Sequence, residues 1–73
     1  MNRPRETIVM ANANPDIVIK ATPEALIAVL PDGTEEQRSF EHIEDIFALP
    51  LRGVANLASK FMEDVRARYE PTP

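Results

Sequence analysis

The chain has 73 residues, a net charge of −4, 44% hydrophobic residues and no cysteine. That is enough for one core, with no disulfide or thiolate-bound metal to brace it. The acidic balance argues against a general nucleic-acid binder, which needs a basic field. The start, MNRPRETIVMANANPD, has no continuous apolar stretch after its arginines, so it does not read as a secretory leader. The longest apolar run, 25–30, is far too short to cross a bilayer. The expected location is the cytoplasm.

Residues 1–15 read as a flexible arm, punctuated by Pro4, Asn12, Asn14 and Pro15. Inside it, Thr7-Ile8-Val9-Met10 has strand propensity and is able to join a sheet edge, its own or a partner's. Residues 16–70 form the single small globular domain expected here, and 71–73 a tail.

The segment DIVIKA, 16–21, is the clearest strand: Ile17, Ile19 and Ala21 point one way, Val18 and Lys20 the other. Residues 22–30 admit two readings. Thr22-Pro23-Glu24 has the form of a helix start. The run ALIAVL before Pro31-Asp32-Gly33-Thr34 and EEQRSF has the form of a hairpin, 25–30 against 35–40, and the hairpin is preferred.

From Ser39 or Phe40 a short helix is predicted, with Ile43, Ile46 and Phe47 on one face and Pro50 ending it. Leu51-Arg52-Gly53 is the connection. A long helix follows, with Val54, Leu57, Ala58, Phe61, Val65 and Tyr69 as its apolar stripe. Asp64 and Arg68 are spaced for a pair along it. The fold class is α+β: a short antiparallel meander of two or three strands packed against a long C-terminal helix, with a shorter preceding helix and a flexible N-terminal arm.

Charge is unevenly distributed. Residues 24–45 carry seven acids against Arg38 alone, while 1–5 carry Arg3 and Arg5. An acidic face can steer onto a basic surface of a partner protein; solvated surface charge is the plainer reading.

No enzyme signature is found. His42 is the one histidine and Ser39 and Ser59 are the two serines; they assemble no nucleophile–base–orienter arrangement. Gly33 and Gly53 stand apart, so no phosphate-cradling loop is present. His42 with Asp45 supplies two ligands where a zinc site needs three or four. Catalytic, cofactor and metal residues are therefore expected to be none, with no small-molecule substrate. The candidate partner-binding residues are Arg3, Arg5, Thr7, Ile8, Val9 and Met10: cationic anchors followed by a strand-like run that orders on binding. A terminus without a role is the plainer alternative. Deletion of 1–11 is expected to abolish binding and leave the domain folded.

The length, the Met1-Asn2-Arg3-Pro4-Arg5 arm, the strand at 16–20 and the helical half at 40–70 together resemble small phage-encoded regulators of host RNA polymerase. The resemblance implies a protein that binds the N-terminal part of the β′ subunit, near the flap and the RNA exit channel. It would hinder initiation at host promoters and promote antitermination, working as a monomer without a membrane or a specific nucleic-acid sequence. The resemblance assigns no contact residue.

Two other readings come from the residues. Short helix, Gly-containing turn and second helix outline a helix-turn-helix-like DNA-binding repressor or antitoxin, showing Asn56, Ser59 and Lys60 to a groove. A subunit that buries its helix stripe against copies of itself is the other.

Overall fold

The computed structural model describes residues 6–69. Four antiparallel strands come first: β1 Thr7–Asn12, β2 Ile17–Ala21, β3 Ala25–Val29 and β4 Glu35–Ser39. They lie in one sheet in the order β1-β2-β3-β4. A 3₁₀ turn, Ile46–Ala48, and the helix α1, Leu51–Tyr69, complete the chain.

The α+β class and the long C-terminal helix are as expected, and so is the hairpin. Thr22 explains why 22–24 turns tightly between strands instead of starting a helix. Its backbone N–H donates to the Ala25 carbonyl at 2.8 Å, and its hydroxyl accepts from the Ala25 N–H at 3.1 Å. Both groups are thereby committed to a hairpin loop. At the next turn Gly33 takes φ 89°, where a side chain is disfavoured, and the Asp32 carboxylate accepts from the Thr34 N–H at 3.0 Å.

Several expectations are corrected. Residues 1–15 are not all arm, because Thr7–Asn12 is a full edge strand paired along β2. A register shift between Ile8 and Met10 explains how it fits. Strict alternation would send Val9 inward and Met10 outward. The bulge turns both toward the core, and both pack against it. Deleting 1–11 would therefore remove a strand and its core contacts.

The second correction is the short helix: among 40–49 only Ile46–Ala48 is helical, as a single 3₁₀ turn. This segment runs from the end of β4 to α1, which starts over β1. Its backbone is claimed elsewhere. The Ile46 N–H donates to the Pro23 carbonyl at 2.9 Å, and the Asp45 carboxylate accepts from the Phe47 N–H at 2.9 Å. Ile46 is buried, and Ile43 and Phe47 pack against the core, so the apolar positions do their work without a helix.

Pro50 ends no helix; it begins one. Its carbonyl accepts from the N–H groups of Gly53 and Val54 at 2.9 and 3.2 Å, so Leu51, Arg52 and Gly53 form the first turn of α1 rather than a connection.

The core lies between α1 and one face of the sheet. Ile17, Ile19, Ala21, Leu26 and Ala28 meet Val54, Ala58, Phe61, Met62 and Val65, with Ile46 closing one end. α1 crosses obliquely from β1 to β4. At its far end Arg38 donates to Asp64 at 2.8 Å and lies 4.5 Å from the centre of the Phe61 ring. Arg68 forms a two-pronged pair with Glu36. Asp64 and Arg68, spaced for a pair along the helix, thus each bind β4 instead.

Candidate protein-docking surfaces

Register decides which side chains share a face. Partners across the strands run Thr7, Ala21, Leu26, Arg38 and then Met10, Ile19, Ala28, Glu36 on the face beneath α1. The intervening rows are Ile8, Lys20, Ile27, Gln37 and Ala11, Val18, Val29, Glu35, and these lie on the opposite face. No element of the described residues covers that second face. Ile8 is 63% exposed there, and Val18, Lys20, Ile27 and Val29 are half-buried by their neighbours alone.

The sequence-derived run is divided by this geometry. Ile8 is on the open face. Thr7 and Val9 face the other way and line a groove of about 280 Å³ with Phe47, Leu49, Leu51 and Val54. Met10 is half-buried against the core. Arg3 and Arg5 lie outside the described residues. The groove runs beside the outer edge of β1, which no other strand of the described residues pairs, so its backbone N–H and C=O groups make it a template for an added strand. Leu51, at 86% exposure, stands at the groove's mouth.

Sequence reasoning missed the groove's far wall, because Leu49 read as the end of a short helix and Leu51 as the connection after Pro50. Leucines flanking a helix-starting proline were the available signal. The open-face residues Val18 and Lys20 were legible as the outward half of an alternating strand, but their neighbours Ile27 and Val29 needed the register.

A second recess, of about 350 Å³, opens at one corner of the open face between Glu6, Thr22, Pro23, Glu24, Ile27 and Gln37. Lys20 donates to Glu6 at 3.2 Å nearby. The outward side of α1 presents Asn56, Ser59, Lys60 and Glu63 around a shallower hollow. Asn56, Ser59 and Lys60 are the residues a DNA-reading helix would use. The helix-turn-helix itself does not form among the described residues, since its first member is a 3₁₀ turn.

His42 and Asp45 are exposed. No group of three or more His, Asp or Glu side chains among the described residues is placed to hold a metal ion. No helix is long and apolar enough to cross a membrane. Two carboxyls titrate below their ordinary range. Glu36 is held down chiefly by the hydrogen bond from Arg68, and Asp32 by those from the Thr34 hydroxyl and N–H. Both shifts come from local structural pairs.

Comparison with known proteins gives no match: no family model fits the sequence, and no curated protein or solved structure is similar to it.

Proposed function

We propose that this chain is a protein-docking regulator whose target is bacterial RNA polymerase, as its resemblance to phage-encoded transcription regulators implies. It binds the N-terminal part of β′ near the flap and RNA exit channel, hinders promoter initiation and favours antitermination. The observation that carries the docking part is the edge of β1. An exposed strand backbone lies there beside an apolar groove, which ends at the exposed Leu51. Backbone groups supply affinity for an added segment, and the groove supplies side-chain selectivity. Arg3 and Arg5 immediately precede this strand in the chain, which suits an acidic flank on the partner. The choice of polymerase rests on the resemblance alone.

Purified full-length chain and host RNA polymerase test this directly. The expected result is co-elution of the two, inhibition of promoter initiation and read-through of a hairpin terminator. Removal of residues 1–5, which leaves β1 intact, is expected to weaken binding about tenfold or more, and Leu51→Asp to do the same. Absence of any complex between polymerase and the folded chain would overturn the proposed target. Unchanged affinity in both variants would overturn the β1 edge as the contact.

A further inference from the structure

The open face of the sheet is chemically distinct from the β1 groove. Its rows place Val18 beside Val29 and Lys20 beside Ile27, with Ile8 and Ala11 on β1 and Gln37 and Glu35 on β4. The centre is therefore a small apolar band. Lys20 interrupts it, but its ammonium is already engaged by Glu6. Around the band the exposed charge is acidic: Glu24 borders the corner recess and Glu35 ends the second row. The bases Arg38, Arg52, Lys60, Arg66 and Arg68 are all on α1 or on the β4 positions beneath it. An acid-rimmed apolar sheet face thus lies opposite a helix that carries four of the six Lys and Arg side chains among the described residues, together with Glu63 and Asp64.

We propose that this open face docks a basic amphipathic helix from a protein partner. The partner's apolar stripe lies over Val18, Ile27 and Val29, and its lysines or arginines reach Glu24 and Glu35. The face offers side chains rather than backbone, so it suits a helix and not an added strand. Its width of about 14 Å between outer strands accommodates one helix of about 10 Å diameter. A nucleic acid would meet carboxylates where it needs cations. A second copy of the chain would set Glu24 and Glu35 against an equally acidic surface.

The inference rests on the docking reading but not on polymerase as the target. The probe is a synthetic helix of about 18 residues, with leucines at i, i+3, i+4 and i+7 and lysines elsewhere, titrated into the full chain and followed by NMR. Shifts are expected at Ile8, Val18, Ile27 and Val29. Affinity should fall about tenfold or more when the peptide's lysines become glutamates, when its leucines become serines, and in Ile27→Asp or the milder Ile27→Thr. Shifts confined to α1's outer side would overturn the inference. So would equal binding of the glutamate peptide, undiminished binding by a folded Ile27 variant, or dimerisation through this face without peptide. If the peptide binds here while polymerase does not, the proposed target falls and this surface stands. If polymerase binds wild type and Ile27→Asp equally while the peptide fails, this surface falls and the target stands.

Discussion

One sheet, four strands, and two faces with opposite fates: Ile17 and Ile19 are fully buried beneath α1, while Val18, next to both, stays half-exposed. The strand residues on the two faces differ little in hydrophobicity. What differs is the α1 stripe of Val54, Ala58, Phe61 and Val65, which covers one face and is too narrow to cover two. The β4 ends diverge as well. On the covered face Arg38 and Glu36 are tied to Asp64 and Arg68 of the helix, while on the open face Gln37 and Glu35 are exposed. Stability is therefore concentrated on one side. Small domains have little stability to spare.

The largest expected effect is the difference between the same substitution on the two faces. Ile19→Asp places a charge in a site with no exposure; the cost of several kcal/mol approaches the total stability of such a domain, and the protein unfolds. Ile27→Asp puts the charge on the open face and leaves a folded protein. Circular dichroism and urea denaturation read both. If Ile27→Asp unfolds as completely as Ile19→Asp, the two faces are energetically equivalent and the contrast fails.

Next in size is Phe61→Ala, which empties the centre of the covered face and costs about 3–5 kcal/mol. It also removes the ring under the Arg38 guanidinium. Phe61→Leu retains much of the volume and is expected to cost clearly less. If alanine and leucine are equally harmful by denaturation midpoint, aromatic contact outweighs packing volume at this position.

The covered face was readable from the residues. Period-two alternation in DIVIKA and the three-to-four spacing from Val54 to Val65 each name one buried side, and both sides were placed as expected, although Tyr69, expected to extend the helix stripe, is exposed. The sheet's first strand was not readable, because β1 carries a bulge. Thr7-Ile8-Val9-Met10 loses its alternation at Val9, and the turn after it, with a cis Asn14–Pro15 bond and an Asn12 side chain donating to the Pro15 carbonyl, looked like the joints of a loose arm. Segment 40–49 misled in the other direction. Its apolar spacing is helical, yet the commitment of the Ile46 N–H to the Pro23 carbonyl is a tertiary fact. The groove beside β1 depends on both misread segments, which is why the signal of Leu49 and Leu51 on either side of Pro50 went unread.

The smallest effect concerns how α1 is fastened to the covered face. Glu36 is held below its ordinary value, mainly by the hydrogen bond from Arg68 and further by the charges of Arg68 and Arg38. In the acid range the folded protein therefore binds this proton less readily than the unfolded chain does. The contribution is present in full above the carboxyl's unfolded pKa and is lost as pH falls through the lower folded value. Solvent screens the pair, because the Arg68 side chain is half-exposed, so its effect is well below that of the core substitutions. Wild type should lose stability on acidification faster than Glu36→Gln, and their urea midpoints should converge as pH falls through the lowered folded value. Glu35→Gln, one position away on the open face, is expected to change the neutral-pH midpoint less than Glu36→Gln. If Glu35→Gln has the larger effect, charge on the open face supports the fold, and the division of labour between the two faces is not as drawn.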